Sequence, residues 1–570
     1  MYAELKRAWA ELTAPGQMFE VDRVAVGGVD ILSYRHAPPS LREVWLSTVA
    51  HGDNDYLIYQ DERISYGEAH AQVAALAAAL AAGGIGPGDR VAIAMRNYPE
   101  WMLAYWAVTS MGAVVVGMNA WWIEDEMDFA LRDSQPRALI ADRERLQRFA
   151  KLRDRHPGLR VIAVRTGEDT PAWAERWEDI VAQPAALPDV SIDPDSDACV
   201  FYTSGTTGRP KGALLTHRGC VNNVMNVAFI NTVQPRALCH AAGMEPPAPG
   251  SAEPVRALLA TPLFHVTANN CVAQVTTLGG GRLVHMYKWD AAEALRLIEA
   301  EGITAFSAVP MMTRELLNHP DFPKRDTSSL KTIGGGGAPM QPDLVGKVPE
   351  RMPGTRPNTG YGMTETCGII AALALEFYMD RPTSVGPVMP TLEARCVDAS
   401  GETLPTGEIG ELLVRGAPVI RGYLNRPDAT EETIVDGWLH TGDIAYLDED
   451  NFVYIVDRAK DMVLRGGENV YCAEVESALF KHDAVAECVV FAVPDERLGE
   501  EVGAAVYLRE DRADDLVADA DTLREHCRGL LSSYKVPRYL WILDEPLPRN
   551  ANGKFLKRAL QDSLALADAA

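Results

Sequence analysis

Apolar residues fall along the chain in short runs at regular spacing, and the spacing changes near Val456. Tyr66 to Ala82 is an Ala/Leu-rich stretch that predicts a helix, stopped by Gly83, Gly84 and the turn Gly86-Pro87-Gly88. Arg90 to Met95 predicts a strand, Pro99 to Gly112 a helix, and Ala113 to Met118 a second strand. Leu139 to Ala141 and Val161 to Val164 continue the strands around a helix near Arg143 to Arg155. This alternation predicts a parallel sheet covered by helices. Ala242 to Pro254, rich in Pro, Ala and Gly, predicts a surface loop. Beyond Val456 the pattern becomes helix (Ala473 to Lys481), strands (Cys488 to Val493, Gly503 to Leu508), helix (Thr522 to Leu530) and strand (Tyr539 to Leu543). The expected fold class is therefore α/β. A large N-terminal domain of parallel-sheet layers, 1–459, precedes a small C-terminal α+β domain, 460–570.

One run competes with this reading. Trp101 to Met118 is eighteen residues without a charge, the lower edge of a membrane span. Thr109, Ser110 and Gly112 interrupt it, and Ala113-Val-Val-Val fits a buried strand, so no transmembrane span is expected. The 570 residues suffice for a large core, and their 47% apolar and 23% charged content is that of an ordinary globular protein. The 54 basic and 79 acidic side chains leave a net −25, which sets aside a general nucleic-acid or anionic-membrane surface. Residues 522–558 are a local exception, with eight Lys/Arg against three acids. Nine scattered cysteines without a Cys-x-x-Cys pair argue against a disulfide framework or structural zinc. With no apolar leader at the N-terminus, they point to a cytoplasmic location.

The segment with most chemistry is Tyr202-Thr-Ser-Gly-Thr-Thr-Gly-Arg-Pro-Lys211-Gly. Its glycines, hydroxyls and single lysine suit a loop that wraps a polyphosphate. It is not a Walker A loop, because Pro210 precedes Lys211 and Gly212 follows it. Further segments are Thr261-Pro-Leu-Phe-His265, Gly334-Gly-Gly-Gly-Ala-Pro339, Gly360-Tyr-Gly-Met-Thr-Glu365, Gly437-Trp-Leu-His-Thr-Gly-Asp443, Asp457-Arg458-Ala-Lys460-Asp461, Gly466-Gly-Glu-Asn469 and Asn552-Gly-Lys554.

In that order, these segments resemble the adenylate-forming superfamily of acyl-CoA synthetases, luciferases and peptide-synthetase adenylation domains. The resemblance implies an AMP-forming acid–CoA ligase that uses ATP with Mg²⁺ and then CoA. Thr203, Ser204, Gly205, Thr206, Thr207, Gly208 and Lys211 would bind ATP, as would Gly337, Ala338 and Pro339. Tyr361 would stack adenine, while Asp443 and Arg458 would contact ribose. Glu365 would hold the metal and Thr364 the phosphate. His265, Asn269, Gly335 and Gly336 would shape the acyl pocket. Lys554 would stabilise the attack on the α-phosphate, Lys460 would be the hinge of a mobile small domain, and Gly466, Gly467 and Glu468 would line the thiol channel. Phe264-His-Val-Thr-Ala-Asn269 lacks the tryptophan that gates the tunnel of related long-chain enzymes. Thr359 stands where Asn or Gln often binds the adenine amino group, with Asn358 beside it. The acid expected is a medium- or long-chain fatty acid or an aryl or alicyclic alkanoic acid. A stand-alone enzyme that loads a carrier protein remains the alternative, and a homodimer is common among similar enzymes.

Overall fold

The charge-free run is the centre of the fold. Its first part is the helix Pro99–Ser110, in which every residue except Glu100 is buried. A helix apolar on all sides needs cover on all sides, and one apolar cluster joins it to side chains of two different sheets. Trp106 stacks on Trp45 at 5.4 Å and donates from Nε1 to the Tyr56 hydroxyl at 2.9 Å. No helix among the described residues is long and apolar enough to cross a membrane. The computed structural model describes residues 1–203, 209–247, 253–336, 340, 342–466, 468–509, 518–549 and 555–564.

The first of the two sheets contains β1 (Arg90–Ala94), β2 (Val114–Gly117), β3 (Asp197–Thr203) and β4 (Lys211–Thr216). Its order is Gly422–Tyr423, β4, β3, β2, β1, Ala138–Asp142, Arg160–Val164, Glu175–Arg176. β1, β2 and β3 run parallel, whereas β4 returns antiparallel to β3. The second sheet contains β5 (Arg256–Leu259), β6 (Arg282–His285), β7 (Ala305–Ser307), β8 (Thr332–Gly335) and β9 (Arg356–Met363). From Gly368–Ala374 its order runs β9, β8, β7, β5, β6, Asp55–Tyr59, Glu62–Ser65. All neighbours from β9 to Asp55–Tyr59 are parallel. The alternating pattern thus marks real parallel strands, but it does not reveal that they divide between two sheets. That division is set by which strands pair across the core.

A third, antiparallel sheet carries β10 (Trp438–Leu447) and β11 (Phe452–Arg458). Beyond it, the strands Val485–Asp495 and Gly499–Leu508 form a hairpin, with Tyr539–Leu543 parallel to the second. The helices Cys472–Phe480 and Ala520–Arg528 pack in the same unit. Both hairpin strands outrun their expected lengths, because charged residues at their ends pair in the ladder: Glu487, Asp495 and Glu500 half-buried, and Glu501 buried against Arg465.

The basic stretch near the C-terminus is mostly neutralised within this unit. Six of its eight cations are paired: Arg524 with Asp521, Arg528 with Glu525, Lys535 with Glu474, Arg538 with Asp495, Arg549 with Glu487 and Lys557 with Glu476. It is therefore not a continuous phosphate-seeking face. For the core, Trp106→Ala should cost about 3–5 kcal/mol, read as a shift in the midpoint of denaturant unfolding.

Candidate active site

Parallel strands end on a common side of their sheet, and the loops leaving them gather there. Thr203 is the last residue of β3, and Lys211 opens β4. The loop residues Ser204, Gly205, Thr206, Thr207 and Gly208 lie outside the described residues. The Lys211 ammonium sits 4.2 Å from the centroid of the Tyr423 ring, a cation–π contact. The Tyr423 hydroxyl donates to Glu365 Oε1 at 2.7 Å. Burial, then the Glu365 charge, raises the pKa of that hydroxyl, so it remains a donor. Glu365 is buried in the short turn Thr364–Thr366 after β9, with Thr364 half-buried before it. Tyr423 escapes sequence reasoning because it lies 58 residues from Glu365. Its pairing with Ala213 on β4 puts it in place.

A second tyrosine–carboxylate pair lies on β9 and β10. The Tyr361 hydroxyl donates to Asp443 Oδ2 at 2.6 Å. Asp443 Oδ1 pairs with Arg458 Nε at 3.0 Å, because β10 and β11 place these two residues directly opposite. The sequence reading gave Asp443 and Arg458 separate contacts to ribose. In the structure they are partners, and both carboxylate oxygens are already engaged. Burial, then the Asp443 charge, raises the Tyr361 hydroxyl well above its ordinary range.

His265 is half-buried after β5, its ring 4.7 Å from Phe264, and Phe264 lies 5.4 Å from Trp121. Asn97, which sequence reasoning missed, holds this segment: its amide donates to Thr261 O at 2.8 Å and accepts from Leu263 N at 3.0 Å. Asn269 is fully buried, accepting from Trp101 Nε1 at 3.4 Å and donating to Asn270 at 2.8 Å. The structure therefore spends Asn269 within the core rather than on an open pocket. It begins a π-helical turn, Asn269–Ala273, a local widening that no sequence spacing signals.

The glycine row also differs from expectation. A Cβ on Gly334 would meet Asn358 O at 2.3 Å, on Gly335 Ser307 Oγ at 2.6 Å, and on Gly336 Gly360 O at 2.6 Å. These glycines let neighbouring strands approach, and the space beside Gly335 and Gly336 is filled. Gly337, Ala338 and Pro339 lie outside the described residues, as do Gly467 and Lys554.

Lys460 is exposed just beyond β11, followed by Gly466 and an exposed Glu468 in a small hairpin. Asp457 links the two sides of Lys460: its carboxylate accepts from the Cys472 backbone at the start of the following helix. Burial pushes Asp457 up to about 6, while Lys557 opposes the shift.

Among the described residues no three His, Cys, Asp or Glu side chains are grouped to hold a metal. A single buried carboxylate, Glu365, still fits Mg²⁺, which usually takes one or two carboxylates and completes its shell with phosphates and water.

Comparison with known proteins shows the family. The family described as "AMP-binding enzyme" matches residues 46–424, and "AMP-binding enzyme C-terminal domain" matches 474–554. A feruloyl-CoA synthase from Amycolatopsis sp is 37% identical over 87% of this chain and 92% of its own length. A long-chain-fatty-acid–CoA ligase from Bacillus subtilis is 31% identical over 89% of this chain and 91% of its own. The structure of o-succinylbenzoate CoA synthetase from Bacillus subtilis, in complex with its acyl-adenylate intermediate, superposes with a TM-score of 0.75 at 29% identity. It covers 91% of this chain and 98% of that one.

The buried Asp457 gives a pH prediction. Its folded pKa, about 6, lies above the unfolded value of about 4, so the native state binds the extra proton. Its contribution to stability should be present at low pH and fall by roughly 2–3 kcal/mol as pH rises from about 4 to 6. Thermal unfolding of Asp457→Asn, compared with the wild type across that range, should lack this slope.

Proposed function

We propose, from the premise that the chain belongs to the AMP-binding enzyme family, that it is an ATP-dependent, AMP-forming acid–CoA ligase acting on a hydrophobic carboxylic acid. The carboxylate attacks the α-phosphorus of ATP, giving acyl-AMP and pyrophosphate. The CoA thiol then attacks the acyl carbon and displaces AMP. The observation that carries the reading is the gathering of Lys211, Tyr423 and Glu365 at one strand edge, beside a Tyr361–Asp443–Arg458 cluster.

Within this reading, Lys211 and the loop before it face the phosphates, and Thr364 contacts them. Mg²⁺ held by Glu365 neutralises their charge when bound. Tyr361 offers its ring to adenine. Asp443, oriented by Tyr361 and Arg458, faces the ribose. His265 stands by the carboxylate, on a wall of Phe264 and Trp121 that suits an apolar acid. Lys554, matched by its motif, places a compact cation on oxygens that gain charge as pyrophosphate leaves. Rotation at Lys460, between bodies of 1–459 and 460–570, would then exchange Lys554 for the Gly466–Glu468 hairpin. This turns one site to two half-reactions and keeps water from the intermediate.

Relatives named for feruloyl-CoA and for long-chain fatty acids favour an aryl or fatty acid. The reading includes a cytoplasmic enzyme, supported by nine free thiols, and a homodimer, which light scattering checks.

Pyrophosphate release across a panel of aryl and fatty acids, with and without CoA, tests the proposal. At least one acid should stimulate release, and CoA thioester should follow. Acyl-AMP that persists without thioester would favour the carrier-loading alternative. Lys554→Ala should slow acyl-AMP formation by roughly 10²–10³-fold. Full-rate adenylation by that variant would refute the assigned role. Tyr423→Phe leaves Glu365 without its hydroxyl donor. It should raise the Mg²⁺ concentration for half-maximal ATP binding by roughly 2- to 10-fold, measured by titrating the metal against a bound ATP analogue.

A further inference from the structure

Lys554 belongs to residues 550–554, which join Arg549 to Phe555, and the structure holds the chain on both sides of them. Arg549 and Phe555 face each other as an antiparallel bridge, and Leu556 N donates to Pro548 O at 2.9 Å. The Arg549 guanidinium lies 3.8 Å from the Phe555 ring centroid, a cation–π contact across the same two legs. Leu547 on the incoming leg and Leu560 on the outgoing one are buried with Phe491 and Trp541 in one apolar cluster. That cluster docks the segment against the strand Val485–Asp495. It does not fix the direction of the legs, because apolar contact is non-directional.

Two carboxylates supply the direction. Glu487, on that strand, accepts from Leu547 N at 2.8 Å and from Arg549 Nη2 at 2.9 Å. Glu476, on the helix Cys472–Phe480, accepts from Val490 N at 2.9 Å and pairs with the Lys557 ammonium at 3.1 Å. Lys557 also donates to Val490 O at 3.0 Å. Each acid thus holds a backbone N–H as well as a cation. All four side chains are half-buried, so neither pair is a loose surface contact.

The stretch between the legs needs such anchors. Asn550-Ala-Asn-Gly553 offers one methyl group as apolar surface, so the aim of Lys554 comes from the ends of the segment rather than from packing of its own. A cation that acts on developing charge must be placed closely, since a shift of about 1 Å can cost roughly 10²-fold in rate. Lys557 is three residues from Lys554 and fixed on two partners. Burial disfavours its charge, but Glu476 leads the groups that hold its pKa above the ordinary lysine value, with Asp461 and Asp457 among them. The last two flank Lys460, so the anchor stays charged beside the hinge.

We propose that Lys557, with Arg549 on the other leg, is a positioning residue for adenylation: the two cations pin the segment and so aim Lys554 at the α-phosphate. The proposal rests on the ligase reading above, in which Lys554 serves the first half-reaction and the hairpin at 466–468 the second. Lys557 and Arg549 touch no reacting atom and act through Lys554.

Lys557→Met should slow acid-dependent pyrophosphate release by roughly 10- to 100-fold, in kcat rather than in KM for ATP, and Arg549→Met should act in the same direction. Thioester formation from supplied acyl-AMP and CoA, which does not use Lys554, should keep the wild-type rate in both variants and so also report that they fold. On a Lys554→Ala background neither substitution should slow adenylation further, because the group they aim is gone. Lys557→Arg keeps the charge and should restore part of the rate. Glu476→Gln removes the acid instead of the cation and should give the same split between half-reactions, which keeps the test open if Lys557→Met does not fold. Independently of turnover, amide hydrogen exchange over residues 549–556 should be faster in Lys557→Met than in wild type. An equal loss in both half-reactions, a further loss on the Lys554→Ala background, or unchanged exchange over 549–556 would overturn the proposal. Pyrophosphate release with no acid, while the exchange difference persists, would sink the ligase reading and leave the anchor standing.

Discussion

Two hydrogen bonds from tyrosine hydroxyls to buried carboxylates tie three sheets together. Tyr423, at the edge of the first sheet, reaches Glu365 in the turn after β9 of the second. Tyr361, on β9 itself, reaches Asp443 on β10 of the third. Backbone bonds cross the same boundaries nearby, from Ile420 N to Glu365 O at 3.0 Å and from Met389 N to Ile370 O at 2.9 Å. A buried carboxylate without such a donor would bear a desolvation penalty that nothing repays. The same two bonds bring Lys211, Tyr423 and Glu365 into one frame with Tyr361, Asp443 and Arg458.

Much of the fold follows from local rules that the chain obeys visibly. Ser65 and Glu68 form a capping box at the start of the helix Tyr66–Ala82, and Gly83 follows its last residue. Tyr539–Leu543 is a strand with the expected bounds. Lys211, Glu365, Asp443 and Arg458 are legible because each sits in a segment whose neighbours share its purpose. Tyr423 and Asn97 are not legible in that way. Their roles come from partners on other sheets, in pairings 58 residues apart for Tyr423 and Glu365 and 164 for Asn97 and Thr261. Asn269 is a different case: its motif position points to a pocket, and in the structure it opens a π-helical turn with its amide against Trp101.

Charge is organised by pairing more than by sign. The chain carries a net −25, yet the cation-rich stretch near its C-terminus is mostly neutralised within the C-terminal unit. Positive charge left over then becomes informative because it is scarce. Lys211 leans on an aromatic ring, and the ring face holds the cation without neutralising it.

The glycine row from 334 to 336 has a consequence for divergence within the family. Gly334 has φ +128°, and any β-carbon there would overlap the carbonyl oxygen of Asn358. This row is rigid by geometry, so side chains cannot be traded along it. Variation enters more readily at positions such as Trp121 and Phe264, where a ring can change size without a backbone clash. A lineage that diverges would therefore be expected to change such rings and keep its glycine row.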